Sequence, residues 1–143
     1  MNYLKSNSEF EFIPEIETVS AFKTTILLRE YVVIPTFNKK NLLQGIIIFS
    51  TEKCKWFEFN NKLKEIATEL FTLLKNRYGE PVYNKYPNYE SVSEDVSVLV
   101  CKFKKDNVIV EMDIDKIDDD GYIIVLYLAD VKYLDEDVMY GGF

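Results

Sequence analysis

The stretch from Glu111 to Asp130 carries the residue types best suited to chemistry, because its carboxylates cluster around a single glycine. Carboxylates at this density could bind calcium, act as general acids and bases, or present an acidic surface to a partner. An EF-hand loop is excluded: with Gly121 as the sixth residue, Lys116 and Tyr127 fall where the first ligand and the last glutamate are required. Catalysis by a carboxylate pair needs two acids in different environments, which an exposed row would not provide.

The same stretch predicts a β-hairpin with a three-residue loop at 119–121, in which Gly121 adopts a left-handed conformation. In this register Met112 lies opposite Leu128, and the apolar side chains share one face of the sheet. The other face carries three carboxylates, called the acidic row below. The acidic row consists of Glu111, Asp113 and Asp115, facing Ala129, Tyr127 and Val125 respectively. A slip of one residue would push these carboxylates into the core, so this register is expected to be firmly set.

The acidic row and the loop beyond it leave three roles open. They could form a solvated face that maintains solubility, a surface for a basic protein, or a weak Ca²⁺ or Mg²⁺ site at the hairpin tip. The hairpin tip is defined as Asp118, Asp119 and Asp120. Charge favours the protein surface, because residues 111–137 hold ten acidic and two basic residues while the rest of the chain holds fourteen and fifteen. Such a field repels nucleic acid and anionic lipid and attracts basic surfaces.

Aromatic residues form a second candidate surface. Tyr83, Tyr86 and Tyr89 recur every third residue beside two prolines, and a polyproline-type conformation would align their rings on one side. Tyrosine is favoured at protein interfaces, although these rings could equally pack back over the sheet. Trp56 is predicted to lie in the core together with its neighbouring phenylalanines. The predicted partner-binding residues are Glu111, Asp113, Asp115, Asp118, Asp119, Asp120, Tyr127, Tyr83, Tyr86 and Tyr89.

The composition excludes several kinds of active site. The 143 residues include no histidine, which removes Ser-His-Asp and Cys-His catalysis and every histidine-ligated metal site. Cys54 and Cys101 do not form a CxxC motif and are predicted to be reduced, half-buried thiols, with a disulfide or redox pair as the alternative. No GxGxxG, P-loop or GxSxG motif occurs. We therefore expect a protein that is not an enzyme and has no cofactor.

Periodicity predicts the elements that position these residues. Apolar side chains at spacings of three and four predict a helix from about Asn61 to Tyr78, capped by Asn60 or Asn61 and ended by Gly79. A strand beginning near Phe22 is predicted to end at Pro35 and to form a hairpin with residues 42–50. Residues 55–59 could extend the second of these strands or form a short one. Three closely spaced strands follow the helix and must be antiparallel neighbours.

The order ββ-α-βββ predicts an α+β two-layer sandwich with one main helix on an antiparallel sheet of about five to six strands. Residues 1–143 are expected to form a single domain, with an edge strand within 1–20 and a polar tail at 136–143. The start of the chain does not resemble a secretory signal, and its apolar runs are too short to cross a membrane, so a cytoplasmic protein is expected.

These features together predict a non-enzymatic, acidic protein-binding module. Its partner would be a basic protein, and direct binding of nucleic acid or a membrane is not expected. An inhibitor, immunity or anti-defence protein that occludes a nucleic-acid-binding or nuclease surface would have this character. The alternative is a small-molecule or metal-ion binding module with a pocket between helix and sheet, lined by Trp56 and the tyrosines. An exposed edge strand could also support a homodimer.

Overall fold

The computed structural model describes residues 11–12, 21–119 and 121–133. These residues form one antiparallel sheet of eight strands with a single α-helix on one face, which confirms the α+β class. Two of the strands, β1 and β5, are only two residues long. The elements are β1 (Glu11–Phe12), β2 (Phe22–Ile26), β3 (Arg29–Phe37), β4 (Leu43–Ser50), α1 (Lys64–Tyr78), β5 (Tyr83–Asn84), β6 (Val98–Lys105), β7 (Val108–Asp118) and β8 (Gly121–Asp130). The predicted five to six strands were too few.

The strand order across the sheet is β1-β2-β3-β4-β8-β7-β6-β5. The chain forms β1 to β4 as a meander, crosses one face of the sheet as α1, and returns from the far edge through β5, β6 and β7. The last strand, β8, then pairs with β4 and joins the two halves. Within the segment expected to hold an N-terminal edge strand, Glu11 and Phe12 pair with β2 at the edge of the sheet. The predicted polar tail at 136–143 lies outside the described residues.

The segment from Phe22 to Phe37 forms two strands where one was predicted. A two-residue turn, Leu27–Leu28, separates β2 from β3, and both of its residues have positive φ angles. Turns of this type usually contain Asn-Gly, so two leucines gave no signal in the sequence. Pro35 does not end the strand but lies within β3, opposite Ile46. Among the described residues β2 pairs with β3 only as far as Val33, so no described strand on that side needs an N–H from Pro35.

The helix has the predicted apolar stripe but begins earlier than predicted. A 3₁₀ turn, Trp56–Glu58, and a π-helical turn, Phe59–Leu63, lead directly into α1. The predicted caps Asn60 and Asn61 therefore lie inside helical structure, and Lys55 is the capping residue, its N–H donating to the Glu58 carboxylate at 3.0 Å. The interpretation of residues 55–59 as a strand was wrong. At the other end, Gly79 has a φ of 84°, and its N–H closes the helix on the Lys75 carbonyl.

The β7–β8 hairpin differs from its predicted register by two residues. Met112 pairs with Leu126 instead of Leu128, and the strands close on Asp118 paired with Gly121, after a bulge between Lys116 and Asp118. Positive φ among the described glycines occurs only at Gly79, so Gly121 is not left-handed as predicted. The face assignment survives, because a shift of two residues leaves every side chain on the same face of the strand.

The main core lies between α1 and the sheet. Its members come from the apolar stripe of the helix and from alternate residues of β6, β7 and β8. The largest fully buried side chains include Phe59, Phe103, Met112, Ile114 and Ile124. Cys54 and Cys101 belong to the same core and are completely buried, more so than predicted. Neither thiol forms a disulfide.

Candidate partner-binding surfaces

The acidic row lies on the sheet face opposite to α1, as predicted. Neighbouring residues of β8 are Tyr127, Val125 and Ile123, which pair with Glu111, Asp113 and Asp115 respectively. The predicted partners Ala129, Tyr127 and Val125 were each two residues too far along β8, because the turn is shorter by one residue and β7 carries a bulge.

The acidic row is not freely solvated. Glu111 has a side chain only 14% exposed and forms an ion pair with Lys102 of β6 at 3.3 Å. Asp113 and Asp115 each bury one carboxylate oxygen, and neither of these oxygens accepts a hydrogen bond within the described part of the chain. Val125, beside Asp113 on the same face, is 4% exposed. The acidic row is therefore only partly open to solvent.

Burial makes Asp113 different from the other carboxylates. Loss of solvent, with the negative charges of Glu111 and Asp115 adding to it, raises the pKa of Asp113 from 3.8 to about 6. The same surroundings raise the pKa of Tyr127 to about 12, chiefly through burial and then through the three carboxylates. The argument that all members of an exposed row would be alike does not hold, because Asp113 keeps its proton to a higher pH than an ordinary carboxyl does. Asp113 lines none of the surface grooves described below.

The chemistry available to the acidic row is hydrogen-bond acceptance and charge pairing. Among the described residues Glu111 is paired with Lys102, and Asp113 and Asp115 each keep one buried oxygen that accepts no hydrogen bond. An arginine or lysine would supply the missing donors, and the charge-assisted bonds it would form are the stronger kind. No group of three potential ligands close enough to hold a metal ion occurs within residues 21–119 and 121–133.

The hairpin tip is engaged with another part of the chain. Asp118 forms an ion pair with Lys53 at 3.0 Å, and the side chain of Lys53 also lies against Gly121. Asp119 is exposed at the turn, and Asp120 lies outside the described residues. A cation site at the tip would therefore compete with Lys53 for Asp118.

The three tyrosines do not align as a polyproline segment would align them. Tyr83 is exposed on the edge strand β5, and Tyr89 is exposed in a 3₁₀ turn. Tyr86 turns inward instead: its ring packs on Phe59, and its hydroxyl donates a hydrogen bond to the Phe59 carbonyl. Burial, with a smaller contribution from Cys54, raises the pKa of Tyr86 well above its ordinary value. Tyr86 is therefore part of the core boundary, as in the alternative interpretation of these residues.

An exposed aromatic cluster was missed in the sequence. Trp56 is 61% exposed and Phe57 is 58% exposed, so only Phe59 of this group lies in the core. The Trp56 ring lies 5.8 Å from Phe57 and 6.3 Å from Tyr89, measured between ring centroids. Trp56 lies in the 3₁₀ turn and Phe59 begins the π-helical turn that follows it, so the winding changes between the two residues. No feature of the sequence indicates that change of winding.

A group of ion pairs joins the β2–β3 hairpin to the helix. The Arg29 guanidinium donates a hydrogen bond from Nε to Glu69 of α1 at 3.0 Å, and it lies 3.9 Å from Glu65 and from Glu52. Glu52 also pairs with Lys62. The neighbouring carboxylates raise the pKa of Arg29, with the hydrogen bond to Glu69 as the largest cause.

The open grooves on the surface of the described chain include three that bear on the prediction of a pocket. The first, of about 620 Å³, runs between the β2–β3 turn and the outer side of α1. The second, of about 410 Å³, crosses β4 and β8 near Tyr133. The third, of about 260 Å³, is lined by Tyr83 and Tyr86. The predicted pocket between helix and sheet, lined by Trp56 and the tyrosines, does not match any of these, and that region of the described chain is occupied by the core.

The two thiols are unsuited to nucleophilic chemistry. Burial raises the pKa of Cys54 to about 11 and that of Cys101 to about 12, with nearby carboxylates adding to the effect in each case. The thiolate is the reactive form of cysteine, so both side chains remain protonated at neutral pH. They behave as small apolar members of the core.

Comparisons with known proteins do not name a family for this chain. No family model, curated protein or solved structure matches it. Within the part of the chain that the structure describes, no helix is long and apolar enough to cross a membrane. The function must therefore be inferred from the geometry of the surfaces themselves.

Proposed function

We propose that this protein is a non-enzymatic binding module whose acidic row recognises a basic protein. The observation that carries the proposal is the pair of buried carboxylate oxygens on Asp113 and Asp115 that accept no hydrogen bond from described residues. Unpartnered buried acceptors are costly in a folded protein. A partner that inserted an arginine or lysine would satisfy them and would gain charge-assisted hydrogen bonds in a site with little competing water.

The charge distribution supports the same role. The excess negative charge of the chain is concentrated in residues 111–137, and the acidic row lies at the start of this segment. A field of this sign speeds the approach of a basic partner and repels nucleic acid. Proteins that bind or cleave nucleic acid expose basic surfaces to phosphate. The proposed class is therefore an inhibitor, such as an immunity or anti-defence protein, that covers a nucleic-acid-binding or nuclease surface.

The groups usually responsible for covalent catalysis give no support to an enzymatic role. The chain has no histidine, and its two thiols are buried with raised pKa values. Asp113 has a raised pKa but lines none of the three grooves described above. A surface that binds through hydrogen bonds and charge fits these residues better than one that performs a reaction.

The proposal is tested by neutralising the acidic row without changing its shape. The variant with Asp113→Asn and Asp115→Asn keeps the side-chain volumes and removes two charges. The matched control, Glu94→Gln with Asp95→Asn, removes two charges from exposed positions outside the row. We expect the wild-type protein and the control, immobilised on resin, to retain the same basic partner, and raised salt to release it.

The neutralised variant should lose most of that partner while keeping its circular dichroism spectrum and its cooperative unfolding. Loss of one partner of a buried charge pair typically weakens binding by about 2–5 kcal/mol, or roughly 30-fold to several thousand-fold. Equal retention by all three proteins would contradict the proposed role of the acidic row. Equal loss from the variant and the control would show that only the overall charge matters.

A further inference from the structure

Asp113 lies at the centre of the acidic row, where its surroundings oppose a negative charge. Glu111 and Asp115 flank it two residues away on the same face of β7, about 6.5 Å along the strand. Its neighbour on β8 is Val125, which is 4% exposed, and its neighbour on β6 is Leu99. One oxygen of the Asp113 carboxylate is buried and accepts no hydrogen bond from the described residues. Desolvation and like charge both make ionisation of this carboxyl less favourable.

The cations on this face of strands β6, β7 and β8, as far as the strands are described, lie towards one end of the acidic row. Lys102 of β6 is opposite Glu111 and pairs with it at 3.3 Å, and Lys104 lies further along β6, away from Asp113. On β8, Tyr127 stays neutral because burial raises its pKa to about 12. The titratable and charged groups that face Asp113 on these strands are therefore Glu111, Asp115, Lys102, Lys104 and Tyr127.

The titration of Asp113 falls in a pH range that proteins usually cover with histidine. Burial and the neighbouring carboxylates raise the pKa of Asp113 from 3.8 to about 6. Histidine is the side chain whose ordinary pKa lies between pH 5 and 8, and this chain has none. A change of charge near pH 6 is therefore located at the centre of the surface proposed to bind a basic partner.

We propose that protonation of Asp113 is a switch that releases the basic partner from the acidic row in mildly acidic solution. This inference rests on the proposed function, because it concerns the same surface. An arginine or lysine of the partner pairs with ionised Asp113, whereas protonated Asp113 offers it no charge and presents a hydrogen-bond donor instead. The partner's cation and the proton therefore compete for one carboxylate. Linkage makes this competition reciprocal, so binding of the partner displaces the proton into the buffer.

The affinity should fall with falling pH, because only the fraction of molecules with ionised Asp113 binds well. With a pKa of about 6, that fraction is about nine-tenths at pH 7 and about one-tenth at pH 5. The apparent affinity scales with the competent fraction, so it should fall roughly tenfold over this interval. Binding at pH 6 should release about half a proton per complex, and binding at pH 8 should release almost none.

The test is isothermal titration calorimetry with poly-L-arginine, whose guanidinium groups stay charged throughout the pH range. Titrations at pH 5, 6, 7 and 8 and at constant ionic strength give the affinity. Repeating them in two buffers of different ionisation enthalpy counts the protons released on binding. Asp113→Asn removes the titrating group from the centre of the row, and Asp95→Asn is the matched control at an exposed position. Circular dichroism and urea unfolding establish that both variants are folded.

We expect the wild type and Asp95→Asn to bind about tenfold more tightly at pH 7 than at pH 5, and to release about half a proton at pH 6. Asp113→Asn should bind at least about tenfold more weakly than the wild type at pH 7. Its affinity should change less than about twofold between pH 5 and 7, and no proton should be released at pH 6. The proton count separates titration of Asp113 from a merely structural role, because asparagine keeps the shape of the side chain.

The double variant Asp113→Asn with Asp115→Asn separates failure of the switch from failure of the proposed function. If the wild type does not bind poly-L-arginine at pH 8, or if the double variant binds it equally well, the proposed function and the switch are both overturned. If the double variant binds more weakly at pH 8 but the wild type binds equally tightly from pH 5 to 8, the switch alone is overturned. Proton release that persists in Asp113→Asn would assign the titration to another group and would also overturn the switch.

Discussion

Replacing Asp113 by asparagine should make the protein more stable at neutral pH. The side chain lies on β7 between Glu111 and Asp115, with one oxygen buried and without a hydrogen bond from the described chain. Asparagine has the same shape and no charge, and its amide can donate to a neighbouring carboxylate where the wild-type carboxylate can only repel it. Residues that lower the stability of the folded protein are expected at surfaces that bind a partner, because binding function is kept at the expense of stability.

The size of the effect follows from the pKa. A carboxyl whose pKa rises from 3.8 to about 6 on folding costs about 3 kcal/mol of native stability once it is fully ionised. Asp113 keeps partial contact with water, and screening by solvent reduces this cost to about 1–2 kcal/mol. For a domain of this length, the change corresponds to a rise in melting temperature of roughly 3–8 °C.

The sign of the pH dependence is specific to a raised carboxyl pKa. The pKa of Asp113 in the unfolded chain is 3.8. Below that pH the carboxyl is protonated in both the folded and the unfolded chain, so its contribution to the free energy of unfolding is fully present. As the pH rises towards 6, the unfolded chain ionises first, and the stability contributed by the protonated native carboxyl is progressively lost. The advantage of Asp113→Asn should therefore be smallest near pH 4, grow between pH 4 and 6, and be constant above about pH 7.

The assay is urea unfolding of wild type and variant at a series of pH values, followed by tryptophan fluorescence. The difference between the two free energies of unfolding isolates Asp113 from the other titrating groups. Asp95→Asn makes the same chemical change at an exposed position and should alter stability by less than about 0.5 kcal/mol at every pH. A variant no more stable than wild type at pH 8, or a gain that does not change with pH, would refute the reasoning.

Three further substitutions or treatments test the core and the ion pairs. Gly45→Ala should destabilise the protein by about 1–3 kcal/mol, because the added Cβ would lie 2.7 Å from a carbonyl oxygen of β8. An unchanged midpoint of urea unfolding would contradict this packing. Cys54 and Cys101 should not react with a thiol reagent at pH 8 until urea unfolds the protein, and rapid labelling of the native state would disprove their burial. Arg29→Met and Glu69→Gln should each destabilise the protein by about 1–3 kcal/mol, because each breaks the ion pair between these residues. A double-mutant cycle should show a coupling energy of at least about 0.5 kcal/mol. Additive effects of the two substitutions would exclude the pair as a stabilising contact.

The sequence alone determined the features that depend on periodicity. The apolar stripe of α1 was evident because every buried residue has another buried residue three or four positions away, and no irregular winding interrupts the helix after Leu63. The acidic row was assigned to the correct face although its register was wrong by two residues. The face of a strand residue repeats every two positions, so an error of two does not change it.

Only the tertiary structure decided the environment of these residues. Nothing in the sequence shows that Asp113 is half-buried with a raised pKa, because its desolvation comes from neighbours on other strands and not from its own. The Leu27–Leu28 turn and the outward position of Trp56 escaped prediction for a related reason. At the Leu27–Leu28 turn the backbone adopts positive φ angles that leucine does not prefer, and the pairing of the two flanking strands holds it there.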